Sequence, residues 1–273
     1  MKNFLLILIL SVILTNCTNE GLQGLTRDNA AEILLNYSNG KLSTGTVSSS
    51  GLVAPQGYEL SEIGAAYLEG MPCFYLTFNP DDSKFSVSDD FVIPQNESWN
   101  IENVSFYVIN PRPISPNFPV KNVVMEIYDG NPELASSKVI SGDMGTNIFK
   151  TSTATNIYRI TNLTTDLSDP QQSSPQKSSD LIYKVVTEIK NNLNLKSGHY
   201  WYKMTMKFDT SGEDYYCFIP RLPAKGNNEN SFNAYFKSIK SGTLASSDGG
   251  VFGGTIPVNY ETPFDITGTK TVN

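Results

Sequence analysis

The segment His199-Tyr200-Trp201-Tyr202-Lys203-Met204-Thr205-Met206-Lys207-Phe208 decides the fold class of this chain. Large apolar side chains recur at every second position from Tyr200 to Phe208, and most of the residues between them are polar. Because successive side chains of a β-strand point to opposite faces, this alternation predicts a strand with one buried and one exposed face. Such strands are typical of antiparallel sheets that pack on one side.

The same strand-like patterning recurs from about Val53 onward. The other segments that show it are Met71–Phe78, Phe85–Val92, Asn100–Ile109, Val120–Tyr128, Ile157–Thr161, Asp180–Lys190, Tyr215–Ile219 and Phe232–Ser238. Turn-forming residues separate them, including Asp129-Gly130 and Lys196-Ser197-Gly198. About nine short strands with regular turns predict an all-β fold, an antiparallel two-sheet β-sandwich of jelly-roll type.

The first seventeen residues predict export. Lys2 precedes an apolar run, Phe4–Leu14, which ends in Leu14-Thr15-Asn16-Cys17. A run of this length is too short to span a bilayer, which takes about 20 residues, but it suits a signal peptide. The segment resembles a bacterial lipoprotein signal, which implies that Cys17 receives lipid and anchors the chain to a membrane, with Thr18 favouring the outer membrane. An ordinary secretory signal with an incidental cysteine is the alternative.

These observations predict three regions: a signal peptide at residues 1–16, a lipidated cysteine and flexible tether at 17–50, and one β-sandwich domain at 51–273. The tether is rich in Gly, Ser, Thr and Asn, which is typical of a flexible linker. One short helix, Asp28–Tyr37, is predicted within it.

The charge balance limits the kinds of partner. The chain has 20 basic and 27 acidic residues, a net charge of −7. This balance disfavours nucleic acid and anionic lipid surfaces. It is compatible with neutral glycans, with envelope proteins or with a cation.

Two cysteines remain besides Cys17, at Cys73 and Cys217. An oxidising compartment permits a disulfide between them, which would stabilise the fold by up to about 4–5 kcal/mol in the chain-entropy model. Two unpaired thiols within strands are the alternative.

Catalytic chemistry has few candidates in this sequence. His199 is the one histidine, and the chain lacks the ligands that a zinc site needs. Glycoside hydrolysis would need a pair of convergent carboxylates. The candidates, most of them in turns or at strand starts, are Asp81, Asp82, Asp89, Asp90, Glu126 and Asp129. We therefore predict that the protein is not an enzyme.

Two ligand sites are predicted. Calcium prefers hard oxygen ligands from loops, and Asp81-Asp82 and Asp89-Asp90 supply clustered carboxylates. Acidic residues solvated in turns are the alternative, and no other cofactor is predicted. Trp201 faces away from the apolar face of its strand, beside His199 and Lys203, and could form a stacking platform for a sugar ring. The alternative is that loops cover it, including the polar insertion Asn162–Ser179.

Several motifs together resemble a known family. They are Val53-Ala54-Pro55-Gln56-Gly57-Tyr58-Glu59-Leu60-Ser61-Glu62, Ser88-Asp89-Asp90-Phe91-Val92-Ile93-Pro94, Trp99-Asn100-Ile101, Ile127-Tyr128-Asp129-Gly130-Asn131-Pro132, Leu195-Lys196-Ser197-Gly198-His199-Tyr200-Trp201 and Thr262-Pro263-Phe264-Asp265-Ile266-Thr267-Gly268. The set looks like a group of secreted bacterial β-sandwich modules common in Bacteroidota, over roughly residues 50 to 270. The resemblance implies a β-sandwich and surface export. That group has no established activity, so the resemblance assigns no functional residues.

Three functions follow as hypotheses. The first is a non-catalytic surface module that binds glycan or protein, with a shallow aromatic or loop-lined site. The second is a structural component of envelope assembly, with an exposed apolar patch or a free sheet edge. The third is a hydrolase with two convergent carboxylates in one cleft.

Overall fold

The computed structural model describes residues 32–63, 70–75, 85–109, 120–161, 167, 180–207, 217–222, 234–238, 244–246 and 261–272. This part of the chain contains thirteen strands and no helix, so the predicted all-β, sandwich-like fold is confirmed. None of it could cross a membrane as a helix. The strands are β1 (Ile33–Ser38), β2 (Glu59–Ile63), β3 (Gly70–Pro72), β4 (Phe74–Tyr75), β5 (Phe85–Val108), β6 (Asn122–Tyr128), β7 (Val139–Asp143), β8 (Phe149–Thr161), β9 (Asp180–Lys207), β10 (Phe218–Pro220), β11 (Tyr235–Ser238), β12 (Leu244–Ser246) and β13 (Phe264–Val272).

A long antiparallel ribbon of β5 and β9 forms the centre of the fold. The two strands have 24 and 28 residues and pair from Val87↔Met204 to Val108↔Tyr183. A straight strand of 24 residues would be about 80 Å long. Phe91 and Phe106, which lie in opposite halves of β5, nevertheless pack in one core cluster. The ribbon therefore bends back on itself, and its two halves pack face to face as the two layers of the sandwich.

Two excursions in the pairing allow the ribbon to bend. Residues 94–97 of β5 lie opposite Ser197, and residues 189–192 of β9 lie opposite Glu102. Each excursion contains an asparagine with positive φ, Asn96 at 70° and Asn191 at 75°. Such irregularities bend a strand and increase its twist. The prediction of a turn at Lys196-Ser197-Gly198 is wrong, because β9 continues through these three residues. The residues that interrupt the pairing there are residues 94–97 of β5.

The remaining strands extend the ribbon on both sides. The principal order is β1-β13-β5-β9-β6-β7, while β8 pairs with the first half of β9 and β11 pairs with the start of β5. Strands β3 and β10 form a separate two-stranded sheet. Two pairings, β2 with β8 and β4 with β9, are parallel, which the antiparallel prediction did not include.

The buried face predicted for the deciding segment is confirmed as far as Met206, but the opposite face is not exposed throughout, because Trp201 and Thr205 are buried. Tyr202, Met204 and Met206 are buried in the main core cluster, and Tyr200 packs against it. Asp129-Gly130 follows the end of β6, as predicted.

The predicted helix and the predicted boundary at residue 51 are wrong. Ile33–Ser38 is a strand that pairs with β13, and Leu35 lies in the core with 2% of its surface exposed. Tyr37 packs 5.3 Å from Trp99 between ring centroids. Apolar residues in a short run fit a helical and a strand period equally well, and pairing with β13 decides between them. The sandwich domain therefore includes β1. Residues 1–31, with the signal peptide and Cys17, lie outside the described residues.

Candidate functional site

Three carboxylates from distant parts of the sequence meet at one end of β5. Oxygen atoms of Asp89, Asp90 and Glu261 all lie within 4.8 Å of one another. Asp89 is fully buried, and Glu261 is 8% exposed. The structure thus brings together two of the four predicted calcium ligands, while Asp81 and Asp82 lie outside the described residues. Glu261 was missed because it is a single acid far along the chain, brought here by the pairing of β13 with β5.

Hydrogen-bond donors surround the carboxylate of Asp89. Its Oδ2 atom accepts from the backbone N–H of Thr262 at 2.8 Å and from the Thr262 hydroxyl at 2.5 Å. The side-chain amide of Asn39 lies 3.3 Å from the same oxygen, 2.8 Å from Oε2 of Glu261 and 3.0 Å from the carbonyl oxygen of Thr262. The hydroxyls of Tyr202 and Thr262 are 2.6 Å apart. This network holds β1, β5, β9 and the start of β13 together.

Burial gives this cluster an unusual protonation preference. Loss of solvent, and then the nearby Glu261 carboxylate, raise the pKa of Asp89 well above its ordinary value. Burial, with the charge of Asp89 as the next cause, also raises the pKa of Tyr37 and of Tyr202. Asp89, Asp90 and Glu261 are the residues that could hold a cation. Calcium takes six to eight oxygen ligands, and it would have to displace the Asn39 amide that now lies between two of these carboxylates.

His199 contacts this cluster from the solvent side. Its Nε2 atom contacts Oδ2 of Asp90, and its side chain is 52% exposed. The ring centroid of His199 is 6.1 Å from that of Trp201. His199 therefore forms the exposed border of the acid cluster, while Trp201 beside it is buried.

Trp201 is not an exposed platform, which corrects the prediction of a stacking surface. Only 4% of its surface is accessible, and it packs in a small cluster with Tyr128 and Tyr235. Tyr128 of β6 and Tyr235 of β11, which are strands of the same sheet, pack against it. An ion pair of 2.6 Å between Lys237 and Glu133 joins β11 to the β6–β7 loop. Trp201 is therefore buried, as the alternative required, but the side chains that pack on it belong to strands and not to loops. The insertion Asn162–Ser179 lies outside the described residues except for residue 167.

The remaining predicted polar residues serve local structure. The Lys203 ammonium lies 3.3 Å from Oε2 of Glu126, which also accepts a 2.5 Å hydrogen bond from the Tyr128 hydroxyl. The Asp129 carboxylate accepts a 2.6 Å bond from the backbone N–H of Lys138 and closes the β6–β7 loop. Glu126 and Asp129 are therefore engaged separately and do not form a hydrolytic pair. Cys73 and Cys217 are adjacent and buried, and both are free thiols in this structure.

An open groove of about 630 Å³ lies between the edge of β6–β7 and the bend of β9, and we call it the β7 groove. Its size is that of a typical ligand site. Its apolar lining consists of Met125, Ile127, Ile140, Ile148, Ile189 and Leu193. Its polar lining includes Ser141, Asp143, Thr146, Lys190, Asn191 and Asn194.

The bend of β9 creates the groove. On the side of β9 away from β5, β6 pairs only with residues 201–207 and β8 only with residues 180–187. Residues 189–200 have no partner strand on that side within the described ranges. The sheet is therefore interrupted there, and side chains of the bend, such as Ile189, line an opening instead of facing a neighbouring strand.

Strand β7 forms the other wall of the groove and the end of the sheet. It pairs with β6, and no other described strand pairs with it. Ile140 is the extra residue in the pairing, because Ser141 lies opposite Ile127 and Val139 lies opposite Tyr128. Gly142 has φ of 77°, and a Cβ atom there would lie 2.2 Å from the carbonyl oxygen of Met125. Only glycine lets β7 approach β6 this closely.

Comparison of the sequence with protein-family models and with curated proteins finds no match.

Proposed function

We propose that this protein is a non-catalytic lipoprotein of the bacterial cell envelope that binds an extended segment of another envelope protein in the β7 groove. The observation that carries the proposal is that the apolar lining of the groove adjoins the free edge of β7. A peptide that adds to a sheet edge gains main-chain hydrogen bonds, and pockets for alternate side chains give it specificity. Five residues of β7 span about 17 Å, enough to pair with a peptide strand of similar length.

The side chains exposed on β7 suit such a partner. Val139 and Ile140 are 45% and 39% exposed, although both are large and apolar. An edge strand of this kind offers unpaired backbone groups beside apolar surface, which favours pairing with another chain. A partner with alternating apolar residues would bury Ile140 and reach toward Ile148 and Leu193.

Neutral glycan is the second candidate ligand, and the amides of the groove favour it. Asn191 and Asn194 are exposed at the bend of β9 and can hydrogen-bond to sugar hydroxyls. A sugar ring in the groove, however, would have no aromatic side chain to stack on. The lining of the groove contains none among the described residues, and Trp201 is buried. A peptide ligand therefore accounts for more features of the groove lining than a glycan ligand does.

The burial of the carboxylates supports a non-catalytic role. A glycoside hydrolase needs two carboxylates in a cleft that the substrate enters. Asp89 is inaccessible, and the acid that lines the groove among the described residues is Asp143. The Asp143 carboxylate is itself engaged by the backbone N–H of Gly145 at 2.7 Å and by Thr146.

Selection of peptides tests the binding site. Random twelve-residue peptides displayed on phage would be selected against the chain from residue 18 onward, and their affinity measured by fluorescence anisotropy. We expect Ile140→Asp, which places a charge in the groove, to weaken binding at least tenfold. Val53→Asp, at a side chain that is 64% exposed outside the groove, should leave the affinity unchanged.

Chemical modification of the selected peptide separates strand addition from other modes of binding. Methylation of backbone nitrogens at alternate positions should abolish binding, while methylation at the positions between them should be tolerated, because a β-strand uses every second N–H toward one neighbour. Equal binding to Ile140→Asp, or thermal stabilisation by polysaccharides without any peptide binding, would contradict the peptide proposal.

The membrane anchor is tested separately. The proposal of a lipid anchor rests on the sequence from Met1 to Cys17. We expect the full-length protein, expressed in a Gram-negative bacterium, to partition into the detergent phase and Cys17→Ser to move to the aqueous phase. Equal partitioning of the two proteins would support the ordinary secretory signal instead.

A further inference from the structure

The two cysteines of the domain lie directly opposite each other in a sheet. Gly70–Pro72 of β3 pairs with Phe218–Pro220 of β10 in an antiparallel register. Continuing this register by one residue places Cys73 opposite Cys217, and the backbone N–H of Cys73 donates to the carbonyl oxygen of Cys217 at 3.2 Å. Residues directly opposite in an antiparallel pair have Cα atoms about 4.5–5.5 Å apart, within the range that a disulfide spans.

The side chains meet as well as the backbones. The two Sγ atoms are 2.9 Å apart, and both residues are fully buried in the main core cluster. Close approach of the strands is possible because Gly70 has no side chain, since a Cβ atom there would lie 2.3 Å from the carbonyl oxygen of Ile219. The backbone N–H of Met206 donates to the carbonyl oxygen of Cys73 at 2.8 Å and fixes the pair against β9.

We propose that Cys73 and Cys217 form a disulfide during export, which closes the chain covalently around the β5–β9 ribbon. The oxidant is the disulfide of a protein thiol oxidase in an oxidising compartment. The thiolate of one cysteine attacks that disulfide and forms a mixed disulfide, and the second cysteine then displaces the oxidase. Each thiol of the chain loses one proton, the chain loses two electrons, and the oxidase leaves as a dithiol.

The buried position sets the order of events. An oxidase has no access to either sulfur in the folded domain, because both residues are inaccessible to solvent. Burial also raises the pKa of the Cys217 thiol well above its ordinary value, which disfavours the reactive thiolate in the folded state. The bond therefore forms before β3 and β10 close over the core. Once formed, it resists reduction until the domain unfolds.

Counting thiols in the exported protein tests this proposal. The full-length chain would be exported by its own signal, denatured without reductant, and labelled with a maleimide polymer that shifts its mobility on a gel. The Cys73→Ala/Cys217→Ala variant serves as the control, because any label on it belongs to Cys17. We expect wild type to carry no more label than this control, and two more labels after reduction. Each single variant, Cys73→Ala or Cys217→Ala, should carry one more label than the control.

Thermal unfolding provides a second measurement that does not depend on the variants. Exported wild type would be unfolded, reduced, refolded and compared with the same protein refolded without reduction. For a loop of this length we expect loss of the disulfide to lower Tm by about 10 °C. Two additional labels on unreduced exported wild type would overturn the proposal, whatever the Tm.

Discussion

The side-chain amide of Asn39 donates a 2.8 Å hydrogen bond to the carboxylate of Glu261, and this contact joins the end of β1 to the start of β13. The same Nδ2 atom lies 3.3 Å from Oδ2 of Asp89 on β5. One amide therefore connects two acidic side chains that would otherwise repel each other in a buried position. It also fastens a strand that begins at Ile33, near the N-terminal border of the described residues, to the core of the domain.

Removal of this amide should destabilise the domain. Hydrogen bonds to charged groups contribute about 1.5–3 kcal/mol, and loss of one leaves a buried acceptor without its donor. We expect Asn39→Ala to lower the free energy of unfolding by about 2 kcal/mol, measured by urea denaturation. Asn36→Ala, an exposed position of the same strand, is the matched control and should change it by less than about 0.5 kcal/mol. Equal effects of the two substitutions would mean that Asn39 does not fasten β1.

The effect of calcium on Tm should show whether the acid cluster of Asp89, Asp90 and Glu261 binds a cation or is already satisfied by the hydrogen-bond donor of Asn39. In the wild type, the Asn39 amide lies between Asp89 and Glu261, so we expect no change in Tm between calcium and EDTA. Asn39→Asp replaces the donor with a further carboxylate, and we expect this variant to have a lower Tm in EDTA that calcium raises again. A calcium-dependent Tm in the wild type would instead support the calcium site predicted at Asp89 and Asp90, with the Asn39 amide displaced.

The buried position of Asp89 should make stability depend on pH in a defined direction. The unfolded carboxyl loses its proton near pH 3.8, whereas burial and then Glu261 raise the pKa of the folded carboxyl. Between these two values the folded state binds more protons, so this contribution to stability is complete below pH 3.8 and is lost as the pH rises through the folded pKa. We expect the free energy of unfolding of the wild type, measured by urea denaturation, to fall above pH 4, and we expect Asp89→Asn to flatten that fall.

Asp143→Asn is the matched control, because it should act in the opposite direction. Hydrogen bonds from Thr146 lower the pKa of the exposed Asp143 carboxyl, so its contribution is present above its ordinary pKa and is lost as the pH falls. The variant should therefore change the acid side of the profile and leave the alkaline side unchanged. An Asp89→Asn profile parallel to that of the wild type would show that the carboxyl titrates alike in the folded and unfolded chains.

Local alternation identified many of the strands, but it missed others, such as β1 and β7, and it did not determine their arrangement. Alternation identifies Tyr202, Met204 and Met206 as core residues because it depends only on the local geometry of a strand. It cannot reveal that β9 continues through Gly198, since the extra residues that bend the ribbon belong to β5. The β7 groove arises from that bend and from the end of the sheet at β7, so no local pattern contains it.

The acid cluster shows a related limit. Asp89 and Asp90 are adjacent in sequence and could be proposed as ligands, whereas Glu261 and Asn39 reach them only through the pairing of β13 with β5 and with β1. Pairing between segments more than 150 residues apart leaves no periodic signal in the sequence. An alternating pattern also shows which side chains share a face of the sheet, but not whether neighbouring side chains bury that face.

Trp201 provides the clearest test of whether a face of the sheet that alternation identifies is buried or exposed. The stacking hypothesis required its face of the sheet to be open, but Tyr235 lies 5.9 Å away between ring centroids, and only 4% of Trp201 is exposed. Truncation of a buried tryptophan removes many contacts and leaves a cavity, so we expect Trp201→Ala to lower the free energy of unfolding by about 3 kcal/mol or more. His199→Ala, at the half-exposed neighbour on the same face, should lower it by less than about 0.5 kcal/mol. Urea denaturation of both variants provides the comparison. If Trp201→Ala kept the stability of the wild type and lost binding to a polysaccharide, the stacking role would be restored and the cover formed by Tyr128 and Tyr235 would have to open in solution.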